Sequence, residues 1–188
     1  MAARYPESAA LDPLASRVGD LARIEGITRE GVRANHAPFT AQVNLRLDPS
    51  LAGLVPFPLP TTPNTTHGAD GKVVLWLGPD EWLVVGAPHQ GEDLVDELEH
   101  LLGDHHRSVV DVSANRVAIA LSGPGRLDLL ARGCSLDLHP RSWNAGMCAQ
   151  TMLGKAQVIL FEGTDVTTIL VRTSFADYLV EWLLAAVP

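Results

Sequence analysis

The most regular stretch of the chain is Ala41-Gln42-Val43-Asn44-Leu45-Arg46-Leu47, apolar at every odd position and polar at the even positions between. A period of two gives a strand one face in a core, and Asp48-Pro49 stops it. Val73–Trp76 and Trp82–Val85 predict two more short strands, joined by Gly78-Pro79-Asp80-Glu81, residue types that suit a tight turn. The period then changes. Between Gly91 and Leu102, the apolar residues Leu94, Val95, Leu98, Leu101 and Leu102 fall on one stripe, with Glu92, Asp93, Asp96, Glu97 and Glu99 elsewhere. This predicts an amphipathic helix whose early acids suit its positive end and whose stop is Gly103.

Downstream, strands are predicted over 108–112 and 116–121, as neighbours in one sheet. Gly123-Pro124-Gly125 turns the chain into a helix carrying Leu127, Leu129, Leu130 and Ala131, ended by Gly133. Strands over 147–153, 156–161 and 166–171 follow, the last two joined by Glu162-Gly163-Thr164-Asp165. A final helix through Ala186 is expected to be capped by Ser174 and to bury Phe175, Leu179, Trp182 and Leu183. Near the other end the stretch holding Val18, Leu21, Ile24 and Ile27 is read as short strands. Residues 1–16, polar and Ala-rich, read as a tail or docking arm ahead of a domain over 17–188. The sum is an α+β chain: a two-layer sandwich of mostly antiparallel sheets with packed helices, in two ferredoxin-like halves.

One segment fits neither period. Residues 53–70 carry Pro56, Pro58, Pro60 and Pro63, a spacing that excludes a helix or a central strand. The apolar side chains Leu54, Val55, Phe57 and Leu59 must be covered by the chain's own core or by a partner. The second alternative makes these four a candidate interface.

Composition narrows the function. In 188 residues, 46% are hydrophobic and the formal net charge is -8. The charge argues against a nucleic-acid partner and against docking on an anionic membrane. No run approaches the length of a membrane-spanning helix. The start lacks the apolar core of a secretory signal, so a cytoplasmic location is expected, with Cys134 and Cys148 reduced.

No complete catalytic constellation emerges. Gly123-Pro124-Gly125 lacks the third glycine of a dinucleotide fingerprint, because Asp128 stands there. His100, His105 and His106 have no ligand spacing on one face, and no metal site is expected. The densest polar group is Asp111, Ser113, Asn115 and Arg116. Asp111 is expected to accept backbone N–H groups of its own loop, and Arg116 to pair with an acid. A role in orienting a ligand or partner is the functional competitor.

Several segments carry a family resemblance. LGPDEWL at 77–83, VDVSANR at 110–116, LSGPG at 121–125, LLARGCSLDLHP at 129–140, GMCAQT at 146–151 and VRTSFADYL at 171–179 resemble, in order, the gamma subunit of heterotetrameric sarcosine oxidase. Thr173 and Val180 depart from the usual basic and aromatic residues. The resemblance implies a fold akin to the N-terminal part of folate-dependent aminomethyltransferases. It implies assembly with alpha, beta and delta subunits into a flavin enzyme. That enzyme converts sarcosine to glycine and hydrogen peroxide, with formaldehyde or 5,10-methylenetetrahydrofolate as the one-carbon product. The resemblance places FAD, covalent FMN, NAD and tetrahydrofolate on other subunits and transfers no catalytic residue to this one. The rival reading is a standalone folate-binding protein of the aminomethyltransferase type.

Overall fold

Every strand pairing among the described residues, 12–27 and 31–187, is antiparallel in the computed structural model of the protein. In chain order the strands are β1 (Arg33–Ala37), β2 (Thr40–Leu47), β3 (Thr66–Ala69), β4 (Lys72–Gly78), β5 (Glu81–Pro88), β6 (Arg107–Asp111), β7 (Arg116–Ser122), β8 (Cys148–Leu153), β9 (Ala156–Glu162) and β10 (Val166–Arg172). The helices are α1 (Val18–Ile27), α2 (Gly91–Leu102), α3 (Arg126–Ala131) and α4 (Ala176–Ala186). One sheet has the order β1-β7-β10-β9-β8 and the other β3-β4-β5-β2-β6. The two-half α+β sandwich expected from the sequence is what forms.

Alternation decides which side chains enter which layer. Val117, Ile119 and Leu121 of β7 and Ile169 and Val171 of β10 join Leu21 and Ile24 of α1, Leu129 and Leu130 of α3, and Leu179 and Leu183 of α4 in one core. Val43, Leu45 and Leu47 of β2 meet Leu94, Leu98 and Leu102 of α2 in a second. The opposite faces of the two sheets share a third, smaller core. In it Leu75, Leu83 and Val85 pack with Ala118, Cys148, Ile159 and Leu170. Helices therefore lie outside and the sheets meet inside.

The structure corrects several local expectations. Residues 18–27 form a helix rather than short strands, because the three-residue spacing of Leu21 and Ile24 places both on one buried helical face. Strands β6 and β7 are not neighbours: β6 pairs with β2, β7 pairs with β1 and β10, and the chain crosses between sheets at Ser113–Asn115. Leu101 lies off the α2 stripe and is exposed. A 3-10 turn over Thr173–Phe175 precedes α4, whose start has no side-chain cap, so Ser174 does not serve as one. Phe175 is 39% exposed, against the expected burial, and Trp182 is half-buried. The reading of 1–16 as a tail lies outside the described residues up to 11. Beyond that point Leu14 is fully buried in the first core.

Candidate functional site

The crossover from β6 to β7 is built from the polar residues the sequence singled out. The Asp111 carboxylate accepts hydrogen bonds from the backbone N–H of Ser113, at 2.8 Å, and from its hydroxyl. The Ser113 hydroxyl oxygen in turn accepts from the backbone N–H of Gln42, at 2.9 Å. Asp111 also closes over the first residue of α2, where a Cβ on Gly91 would lie 2.4 Å from Oδ2. A negative group at that helix end is favourable. Asp111 thus accepts one backbone N–H of its own loop, that of Ser113.

Arg116 behaves differently from expectation. Among the described residues no carboxylate lies within ion-pair distance of it. Its direct cross-strand partner in the ladder is Arg172 of β10. Burial holds the Arg116 guanidinium below its usual range, the Arg172 charge lowers it further, and Glu81 on the other sheet opposes both. Glu81 is itself engaged by the Asn44 amide at 2.8 Å. Both arginines line an open cavity of about 480 Å³ that also takes in Ser135, Gln150, Thr151 and Gln157. Asn115 is exposed, and its backbone N–H donates to the Val112 carbonyl at 2.9 Å.

Arg172 and Gln42 were not singled out by sequence reasoning. The signal for Arg172 was available in principle, since pairing β7 with β10 puts the two arginines opposite each other. Gln42 is fully buried, donates to the Arg116 carbonyl at 3.0 Å, and leaves its Oε1 without a partner.

The other candidates are taken up by the fold. Val55, Phe57 and Leu59 of the suspected interface are buried in the chain's own second core. Of those four, Leu54 is exposed, at 40%. At the glycine turn, Gly123 has φ +97°, and a Cβ there would sit 1.9 Å from the Gly31 carbonyl oxygen. That turn is closed against its own backbone and offers no cradle that fits a dinucleotide phosphate. Among the described residues no three His, Cys, Asp or Glu side chains gather as a metal site. Both cysteines are free thiols, with Cys148 fully buried. The buried Glu162 is internally tied by Arg126 (2.6 Å), the Trp143 indole (2.9 Å) and the Thr167 hydroxyl.

Comparison with known proteins shows the family. The model of the sarcosine oxidase gamma subunit family matches residues 48–187. The sarcosine oxidase subunit gamma of Corynebacterium sp. (strain P-1) is 38% identical over 173 residues, covering 88% of this chain and 84% of the relative. That of an Arthrobacter species is 36% identical over the same shares. A chain of the heterotetrameric sarcosine oxidase from Corynebacterium sp. U-96 superposes with a TM-score of 0.86 and 32% identity, over 94% of both chains. The aminomethyltransferase T of the glycine cleavage system from Bartonella henselae shares the fold, with a TM-score of 0.65 at 15% identity, over 87% of this chain and 48% of its own. Matched by the family model over most of its length and by relatives above 30% identity over 88% of it, the chain belongs to the sarcosine oxidase gamma subunit family.

Proposed function

We propose that this chain is a non-catalytic assembly subunit of a cytoplasmic, flavin-dependent heterotetrameric sarcosine oxidase, together with alpha, beta and delta subunits. The observation that carries the reading is the superposition on a chain of such an enzyme over 94% of both chains. The non-catalytic part is supported by how the fold uses its polar groups. Glu162 is spent on internal ties, Asp111 closes a loop, and the glycine turn abuts its own backbone. On this reading FAD, covalent FMN, NAD and tetrahydrofolate reside on the other subunits, which oxidise sarcosine to glycine and hydrogen peroxide. The one-carbon unit leaves as formaldehyde or 5,10-methylenetetrahydrofolate.

Co-expression with the other oxidase subunits tests this directly. The chain should co-purify with them in a fixed ratio. Purified alone it should show no flavin absorbance and release no peroxide from sarcosine. Stoichiometric flavin on the lone chain, or a full complex that assembles and turns over without it, would overturn the reading. A standalone folate-binding protein would instead bind tetrahydrofolate alone and ignore the oxidase subunits.

A further inference from the structure

Arg116 and Arg172 face each other at the end of the β7–β10 ladder, two residues beyond Ala118 and Leu170, which belong to the core between the sheets. Strand alternation puts the arginines on that same inner face. The cavity thus opens where the inter-sheet core stops. Like charges directly opposite in a sheet destabilise it, and among the described residues neither guanidinium has an ion-pair partner to offset this. The remaining polar lining is neutral and rich in donors. Ser135 and Thr151 hydroxyls lie 3.3 Å apart, and Gln150 and Gln157 line the same cavity. Two planar forks beside hydroxyl and amide donors match the oxygens of a carboxylate.

We propose that the cavity between Arg116 and Arg172 is a carboxylate-binding site, with Ser135, Thr151 and the glutamine amides as supporting donors. The incoming negative charge relieves the repulsion between the two arginines and supplies the acid that Arg116 lacks among the described residues. The depressed proton affinity of Arg116 agrees with a cation that has lost solvent without gaining a close counter-charge. A volume of about 480 Å³ lies within the range that accepts a small organic acid, and the same opening admits an acidic side chain from another subunit. The small-acid arm is independent of the assembly reading, because the lining lies within this chain; the partner side-chain arm rests on that reading.

Succinate is titrated into the full-length chain while the arginine Nε–H signals are followed by NMR, with sodium chloride at equal ionic strength as control. The expected result is saturable displacement of the Arg116 and Arg172 signals by succinate alone, and loss of the succinate binding heat, read by calorimetry, in the double variant Arg116→Gln/Arg172→Gln. The assembly arm compares the wild type and that variant in binding the other oxidase subunits. At least a tenfold weakening at low salt assigns the carboxylate to a partner side chain. Unchanged assembly together with succinate binding assigns it to a free small acid. Arginine signals that move no more with succinate than with chloride, alongside unchanged assembly, would overturn the proposal. The wild-type titration stands even if the double variant fails to fold.

Discussion

The indole Nε1 of Trp82 donates a 2.8 Å hydrogen bond to the carbonyl oxygen of Pro60, and both groups are buried. Strand β5 thereby pins the proline segment over the sheet, with Phe57 tucked beneath at 5% exposure. Phe57→Ala should lower the stability of the isolated chain by about 3–5 kcal/mol, the usual cost of a large cavity, and Phe57→Asp by at least as much. Trp82→Phe keeps a ring but strands the Pro60 carbonyl, at a cost of about 1–3 kcal/mol. Denaturant titrations read both. A loss below about 1 kcal/mol for Phe57→Ala would mean that the segment is held elsewhere.

Glu162 presents a second test, because three donors converge on one buried carboxylate. Removing its charge with Glu162→Gln leaves the Arg126 guanidinium buried and unpaired, which should cost about 3–5 kcal/mol. Adding Arg126→Met to Glu162→Gln should recover part of that loss. Strictly additive losses in this cycle would show that the pair is not coupled.

The sequence made the element types of the second half legible because most of them show a clear period. In α2, Leu94, Leu98 and Leu102 are buried together, as their spacing requires. It failed at α1, where glycines at 19 and 26 and an exposed Val18 blur the helical stripe. It also failed at the pairing of β6, since period two fixes a strand's faces but not its neighbour. Strand β1 carries a short Arg33-Ala34-Asn35-His36-Ala37 stretch with little apolar signal, and its place at a sheet edge comes from tertiary pairing with β7. The same limit hid half of the arginine pair. Arg116 was visible inside a polar cluster, but Arg172 joins it only through register.

Trp182 lies over two glycines that make room for it. A Cβ on Gly133 would fall 2.4 Å from the Trp182 ring, and one on Gly154 would fall 2.5 Å from the Tyr178 hydroxyl. Gly133→Ala should therefore destabilise by about 1–3 kcal/mol through overpacking. In the Trp182→Ala background the same change should cost far less. Equal costs in both backgrounds, measured by chemical denaturation, would show that ring and glycine do not press on each other.

His36 sets an expectation for pH. Its Nδ1 lies 3.3 Å from Asp12 Oδ2, yet burial lowers its proton affinity more than Asp12 raises it. The folded chain thus holds the imidazole neutral more firmly than the unfolded chain does. The associated stability is full above the unfolded value of about 6.5 and drains away as pH falls from there through the lower folded value. Thermal midpoints should drop between about pH 7 and 5, and His36→Gln should flatten that part of the profile. A midpoint that rises on acidification, and stops rising in the variant, would mean that the Asp12 attraction dominates.

The two thiols should react at very different rates. Cys148 is fully buried, and its thiol points at the carbonyls of Thr65, at 3.3 Å, and Trp76, at 3.5 Å. Burial pushes its pKa up to about 11, so the reactive thiolate is about one molecule in a thousand at pH 8. Cys134 is half-exposed, with Thr151 Oγ1 at 4.0 Å. Iodoacetamide at pH 8 should therefore modify Cys134 first and reach Cys148 only when the protein opens. Because Cys148 belongs to the core shared by the two sheets and hydrogen-bonds to the loop before β3, its rate should track separation of the halves rather than fraying of a single helix. Mass spectrometry across a denaturant series can follow each site. The Cys148 rate should rise steeply with denaturant, in parallel with global unfolding, while Cys134 changes little. Comparable native rates at both positions would show that the halves part far more readily than a shared apolar core allows.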